Sequence, residues 1–437
     1  MYLYTTILFV IMVASFVICS RKLKSPEISM AITGVVGALV AYFMYLGGEY
    51  QIDFPVRILV EGLFTNFDLA ISFVCASVFV NLYSYSGAMT AVTRKLVGTF
   101  DNKWILLTFM AAFMLVPGAL TGAGSISVFV LGGLVATVVR YMGLSDRKTT
   151  AFVFIFAILS AACPPINLWT MMMTAQCNMP YVGFTKLLAL PIAIVGIFTI
   201  IYLGWGSKRE PKEKILAELP EAPEKMNMLR ILLPLVVVIG LILLTLYAPF
   251  DVPVIGLPLT FIIGSFIVVL CNPVKRTFKE YFKVVNDTME QVFPLVATVL
   301  SVGVLQSSMT QIGVKGLIGV TFITLPLVML YVTVLLFGPF AQGCLSYGSA
   351  IIIGAPLVFM FNTRGMDTTV VCAALSLMFP IGDCLPPSRI TGRLTCETVG
   401  YQGSYMSFLK QIAIPCALLG ALALVMFITP GTFTFLK

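Results

Sequence analysis

Two ionisable side chains, Asp383 and Arg389, lie on either side of a pair of prolines, Pro386 and Pro387, within a largely apolar part of the chain. Adjacent prolines remove two amide donors from a helix, and the freed carbonyl oxygens need a partner because lipid offers none. Ionisable groups at membrane depth are costly to keep and mark functional sites. The stretch therefore predicts a binding site in a broken membrane span. The simpler alternative is an internal Asp383–Arg389 pair that only neutralises itself.

The same double proline occurs at residues 164 and 165, at an offset of 222 positions (386 − 164 = 222). Pro117 and Pro339 are separated by the same offset (339 − 117 = 222). With two further matches at offsets of 221 and 224, four ordered matches at a near-constant offset indicate that the chain is one membrane unit written twice, which is typical of secondary transporters.

Composition supports a membrane protein. Of the 437 residues, 59% are hydrophobic and 11% are charged, whereas soluble domains have about 25% charged residues. The net charge of +8 comes from basic residues in short loops, so nucleic acid is not an expected partner. The ten cysteines stand singly and histidine is absent, so neither a metal cluster nor a convergent catalytic group is expected. An enzyme is therefore not predicted, and no continuous polar stripe suggests a channel.

These observations predict an all-α polytopic membrane protein with two inverted repeats, each of about five spans with one re-entrant hairpin and one broken helix. The first repeat covers residues 1–204, with scaffold spans, a hairpin at 103–140 and a broken span at 150–173. A cytoplasmic linker follows at 205–230. The second repeat covers residues 231–437, with a hairpin at 325–361 and a broken span at 368–399. In the first hairpin, limbs of about 15 residues are expected, shorter than a full span, and the positive-inside rule places both termini outside.

The hairpin tips and helix breaks expose backbone carbonyl and hydroxyl oxygens, which hard cations such as Na⁺ prefer as ligands. Close packing is the alternative role for the glycines, and a proton carried by Asp383 is the alternative coupling ion. The candidate ion-binding residues are Thr121, Gly122, Gly124, Ser125, Cys163 and Pro164 in the first half, and Gly343, Ser346, Gly348, Gly382, Asp383 and Leu385 in the second.

Arg389, Arg393 and Glu397 are spaced four apart and share one face of the helix after the second break. We expect Glu397 to neutralise Arg393, which leaves Arg389 free. A guanidinium binds a carboxylate through two parallel hydrogen bonds, so a small organic acid is the expected substrate. The other candidate substrate-binding residues are Ser388, Asn167 and Gln342.

Four pieces of the sequence resemble the large membrane subunit of the tripartite ATP-independent periplasmic (TRAP) transporters, within the ion transporter superfamily. They are Thr121-Gly-Ala-Gly-Ser125, Ala161-Ala-Cys-Pro-Pro-Ile-Asn167, Phe184-Thr-Lys186 and Leu385-Pro-Pro387. The residues after Pro387 and the tip Gln342-Gly-Cys-Leu-Ser-Tyr-Gly348 depart from the pattern of that family.

The resemblance implies an elevator-type, Na⁺-coupled importer of organic acids in the bacterial inner membrane. It also implies two partners as separate chains, a small membrane subunit and an extracytoplasmic substrate-binding protein. The alternative is a standalone ion-coupled carrier of the same superfamily that needs no binding protein.

Overall fold

Every regular element of the computed structural model is a helix in the ranges that it describes, which are residues 2–44, 54–221, 227–247, 256–272, 274, 276–386 and 389–436. Ten of these helices are long and apolar enough to cross a membrane. The prediction of an all-helical, multi-pass membrane protein is thus confirmed. Ser388, one of the candidate substrate-binding residues, lies outside the described residues.

The first half contains eleven α-helices in the described ranges, and one more lies in the linker. In chain order they are α1 (Tyr2–Leu23), α2 (Pro26–Met44), α3 (Phe54–Thr65), α4 (Phe67–Tyr85), α5 (Ala88–Thr99), α6 (Lys103–Thr121), α7 (Gly124–Ser127), α8 (Gly133–Tyr141), α9 (Asp146–Ala162), α10 (Leu168–Gln176), α11 (Phe184–Gly204) and α12 (Lys212–Glu218). A π-helical segment, Val128–Gly132, joins α7 to α8.

The described part of the second half contributes nine α-helices. They are α13 (Met228–Tyr247), α14 (Leu257–Cys271), α15 (Phe278–Gln311), α16 (Val314–Thr324), α17 (Leu327–Leu345), α18 (Ala355–Thr363), α19 (Thr368–Met378), α20 (Ile390–Val399) and α21 (Tyr405–Ile428). A π-helical segment, Ala350–Gly354, precedes α18, and a 3₁₀ segment, Phe379–Cys384, follows α19.

The two hairpins turn at residues with a positive φ angle. Gly122 (φ 74°) ends α6 and Ser346 (φ 49°) ends α17. Pro117 and Pro339 lie inside these helices, which continue beyond them to a length of 19 residues each. The expectation of limbs of about 15 residues in the first hairpin is therefore wrong for α6, because a proline within an apolar helix does not have to end it.

The helices pack into two groups. The scaffold group is α1–α5 with α13–α16, in which α15 packs along α2, α3 and α4, and α14 packs on α4. A Cβ atom added to Gly62 would lie 2.6 Å from Val304 Cα, so only glycine allows α3 and α15 to approach this closely. The central group is α6–α11 with α17–α21, and it contains both hairpins and both helix breaks.

The linker after α11 packs against the first half, where α12 contacts α5 and α8. Arg94 Nη1 in α5 donates hydrogen bonds to the carbonyl oxygens of Leu219 (2.8 Å) and Pro220 (3.0 Å). The amide of Glu210 donates to the carbonyl oxygen of Tyr141 at the end of α8, at 2.8 Å. The linker thus contacts the scaffold group on one side and the central group on the other.

Candidate functional site

Asp383 lies in the 3₁₀ segment of the second break, and uncharged donors hold its carboxylate. Gln342 Nε2 donates to Oδ1 at 2.9 Å, and Thr391 Oγ1 donates to Oδ2 at 2.9 Å. Within the described ranges, no ion pair closer than 4.0 Å involves Asp383 or Arg389. The Arg389 guanidinium instead lies over the ring of Tyr405, 5.1 Å from its centroid. The simpler alternative, a self-neutralising pair, is therefore not what the structure shows.

Gln342 joins Asp383 to the first half of the chain. Its side-chain oxygen accepts hydrogen bonds from Trp169 Nε1 (2.8 Å) and Ser349 Oγ (2.7 Å). Trp169 belongs to α10, the half-helix after the first break, and is fully buried. The amide of Gln342 therefore connects a residue of the first break with the carboxylate of the second.

Tyr347 extends this contact to the tip of the first hairpin. Its ring packs on that of Trp169, with the centroids 5.0 Å apart, and its hydroxyl donates to the carbonyl oxygen of Gly122 at 3.4 Å. The structure thus brings Gln342 and Asp383 together with Gly122 through two aromatic side chains. We call Trp169, Gln342, Tyr347, Ser349, Asp383 and Thr391 the bridging network.

Three carbonyl oxygens from the segment around Asp383 converge on Gly343. A Cβ atom on Gly343 would lie 3.1, 3.3 and 3.4 Å from the carbonyl oxygens of Pro386, Leu385 and Gly382. A Cβ atom on Gly382 would lie 2.0 Å from the carbonyl oxygen of Pro339, so this position requires glycine. Carbonyl and carboxylate oxygens are the donor set that a hard monovalent or divalent cation takes. The predicted ion-site residues Gly343, Gly382, Asp383 and Leu385 thus lie together.

The two remaining ion-site candidates of the second half lie differently. Ser346 forms the turn itself, and its amide donates to the Gln342 carbonyl oxygen at 2.8 Å. Gly348 faces the scaffold group, since a Cβ atom there would lie 2.9 Å from Val302 Cγ2. Its position is explained by close packing of the second tip against α15.

The first tip is closed by contacts within the first half. Thr121 Oγ1 donates to the carbonyl oxygen of Pro117 at 2.8 Å, and a Cβ atom on Gly124 would lie 2.5 Å from the carbonyl oxygen of Ala157. Ser125 is 9% exposed. Among the described hydrogen bonds none joins Thr121, Gly124 or Ser125 to Asp383, and Gly122 is the residue of this tip that accepts a hydrogen bond from the second half.

The first break is held by its own polar groups. Asn167 Oδ1 caps α10 by accepting from the amide of Thr170 (3.0 Å). Asn167 Nδ2 donates to the Ala162 carbonyl oxygen and to Ser376 Oγ, both at 3.1 Å. Cys163 and Pro164 are half-buried and directly follow α9. The fully buried amide of Asn167 is thus engaged by protein groups on both its oxygen and its nitrogen.

Arg393 and Glu397 are both exposed, and the described structure contains no ion pair between them. The expected neutralisation across one helical turn is therefore wrong. Water at an exposed helix surface competes with such a pair, whose net contribution is small.

Sequence reasoning missed four members of the bridging network: Trp169, Tyr347, Ser349 and Thr391. Trp169 and Tyr347 contact partners 173 and 225 residues away, so no local pattern reveals them. Ser349 and Thr391 contact partners seven and eight residues away, across the second tip and the second break. One signal was available for Trp169. It lies four residues after a proline break in an apolar segment, where its indole N–H needs an acceptor.

Comparison with known proteins gives matches only at the level of structure. No protein-family model and no curated protein matches the chain. The structure resembles that of the Alcanivorax borkumensis YdaH transporter, with a TM-score of 0.64 and 13% identity, covering 94% of this chain and 98% of that one. It also resembles Neisseria gonorrhoeae MtrF, described with a class of antimetabolite efflux pumps, with a TM-score of 0.63 and 12% identity, covering 93% and 94%. At this identity the likeness shows a shared transporter fold.

These matches correct two predictions. The chain is not supported as a TRAP large subunit, because the solved structures that it resembles are YdaH and MtrF. A separate small subunit and binding protein are also not supported, because this one chain covers 98% and 94% of those transporters. The motifs do not identify the family for a physical reason: glycine-rich tips and double prolines suit helical hairpins and broken spans in general.

Proposed function

We propose that the chain is a standalone, cation-coupled membrane transporter in which Asp383 binds the coupling cation. The observation that carries the proposal is a carboxylate at a helix break, held by two uncharged donors, in a segment whose carbonyl oxygens converge on Gly343. An ionised group without a counter-ion at membrane depth is costly, and a bound cation removes that cost. The transporter fold supports the same proposal.

We propose two inverted repeats as the architecture. The π-helical segments Val128–Gly132 and Ala350–Gly354 begin and end at an offset of 222 (350 − 128; 354 − 132). Helices α8 and α18 also begin and end at this offset (355 − 133; 363 − 141). Two structurally similar units that cross the bilayer in opposite orientations would bring their helix breaks together near its midplane. In an elevator movement the central group would then shift against the scaffold group.

We propose Na⁺ as the cation and a proton as the alternative. Binding of a proton needs only the carboxylate, whereas Na⁺ uses several oxygen ligands. We propose that the carbonyl oxygens of Gly382, Leu385 and Pro386, which converge on Gly343, include such ligands. The absence of a described carboxylate at Arg389 further supports binding of an anionic group of the substrate there.

The cation site can be tested without knowing the substrate. A ligand that binds only the folded state raises the stability of that state with its concentration. We expect the thermal unfolding temperature of the purified protein to rise in sodium chloride relative to choline chloride. Asp383→Asn keeps the shape of the side chain and removes its charge, so it should abolish this rise, whereas the matched control Asp287→Asn, on an exposed part of α15, should retain it.

An equal rise in Asp383→Asn and wild type would contradict the cation site. A rise that appears on acidification and not with sodium would favour the proton. Transport is tested in proteoliposomes on a solid-supported membrane, with a sodium gradient and a panel of small anionic solutes. A sodium-dependent current in wild type that is absent in Asp383→Asn is the expected result.

A further inference from the structure

We propose that Trp169 is a positioning residue that fixes the amide of Gln342 so that its N–H group, and not its oxygen, faces Asp383. The inference rests on the proposed cation site and adds to it a residue from the opposite half of the chain. Through this contact the half-helix after the first break determines the cation affinity of the second break.

The orientation of the Gln342 amide depends on which neighbouring groups can only donate. Gln342 Oε1 accepts from Trp169 Nε1 at 2.8 Å and from Ser349 Oγ at 2.7 Å. A hydroxyl rotates and can accept instead, whereas an indole nitrogen is only a donor. Rotating the Gln342 amide by 180° would place its NH₂ group against the indole N–H and its oxygen against the Asp383 carboxylate. An ionised Asp383 can only accept and also excludes the rotated amide, whereas Trp169 excludes it whether Asp383 is ionised or protonated.

The position of Trp169 is itself set by both hairpin tips. Its ring packs on Tyr347 of the second tip, and the Tyr347 hydroxyl donates to the carbonyl oxygen of Gly122 in the first. A movement of α10 or of the first tip would displace the indole N–H from Gln342 and release the amide. Cation binding and the arrangement of the first half are then coupled, and such a coupling acts equally in both directions.

Two substitutions that each remove one hydrogen bond to the same oxygen test the inference. Trp169→Phe keeps an aromatic ring beside Tyr347 and removes the obligate donor. Ser349→Ala also removes a donor but leaves the indole in place. We expect the sodium concentration for half-maximal thermal stabilisation to rise roughly three- to tenfold in Trp169→Phe, on the scale of one neutral hydrogen bond, and to rise less in Ser349→Ala, which leaves the obligate donor in place. Trp205→Phe, at an exposed tryptophan, is the control.

An unchanged sodium affinity in Trp169→Phe, or an equal loss in both variants, would overturn the positioning role. Failure of the cation site itself is distinguishable, because wild type would then show no sodium-dependent stabilisation at all.

A spectroscopic measurement keeps the inference testable if Trp169→Phe does not fold. The chain has three tryptophans, so the double variant Trp104→Phe, Trp205→Phe retains only Trp169. We expect sodium, and not choline, to change the emission of this residue, and Gln342→Ala to remove the change. An emission that does not respond to sodium in a protein that sodium stabilises would overturn the inference.

Discussion

The two helix breaks of the central group follow the same plan and differ in charge. At the first, Asn167 caps α10, and its amide nitrogen reaches the Ala162 carbonyl oxygen and Ser376. At the second, Arg389 occupies the corresponding capping position with a φ of 49° and no side-chain capping hydrogen bond. Asp383 lies six residues before it. The first break is thus neutral and internally hydrogen-bonded, whereas the second carries two charges that lack a described ionic partner.

The same backbone arrangement therefore serves different purposes in the two halves. In the first half the polar groups satisfy the freed backbone and hold the break in one shape. In the second half they leave charge available for a ligand. The comparison predicts that substitutions at the second break change binding, and that substitution of Asn167, which holds the first break, changes stability.

The largest effect is expected at Arg389. Arg389→Ala should raise the substrate concentration for half-maximal current by roughly tenfold or more, because a charged hydrogen-bonding group contributes about 1.5–3 kcal/mol. Arg389→Lys should be intermediate, since it keeps the charge and loses the planar fork. Arg393→Ala, at an exposed site, is the control and should change this value little. Equal effects at both arginines would remove the distinction between them.

A smaller effect, on stability and not on binding, is expected at Asn167. Asn167→Ala removes the cap of α10 and leaves the Ala162 carbonyl oxygen without this donor. The expected loss is about 1–3 kcal/mol of unfolding free energy, measured as a lower thermal unfolding temperature with nearly unchanged sodium affinity. Asn286→Ala, on the exposed side of α15, is the control. A large loss of sodium affinity with normal stability would show that the first break also binds the ligand.

The smallest effect is expected at Ser346 in the second tip. A serine at φ 49° and ψ −134° is strained, and such backbone strain costs roughly 1–3 kcal/mol. Ser346→Gly relieves this strain and should raise the thermal unfolding temperature. The rise should be small, because glycine also increases the conformational freedom of the unfolded chain. Ser346→Ala keeps the strained backbone and serves as the comparison. If both variants lose sodium affinity equally, the Ser346 hydroxyl is a cation ligand, which would extend the second site to its hairpin tip.

The sequence allowed the class of fold to be predicted from composition and apolar segments, because both follow from local residue types. The position of Asp383 beside Pro386 could also be predicted, because both residues lie in one short stretch. The link from Asp383 through Gln342 to Trp169 could not, since it depends on how α10 packs against the second hairpin. The predicted neutralisation of Arg393 by Glu397 was wrong for a similar reason. Spacing along a helix shows that two side chains share a face, but it does not show that water competes for them there.

The family resemblance was wrong because short local motifs do not identify a whole protein. Gly382 illustrates the reason. It is glycine because the Pro339 carbonyl oxygen leaves no room for a Cβ atom, and any tightly packed hairpin and break would impose the same choice. Such residues report on geometry, so they predict the fold and leave partners and substrate undetermined.

The linker contacts have a consequence for the order of assembly during synthesis. Arg94, Tyr141, Leu219 and Pro220 all precede residue 221, so this part of the protein can be completed before α13 is made. The helix α15 packs along α2, α3 and α4 and needs them already in place. The first half can therefore act as the template on which the second half is inserted, in keeping with the N-terminal part of a chain folding first as it is synthesised.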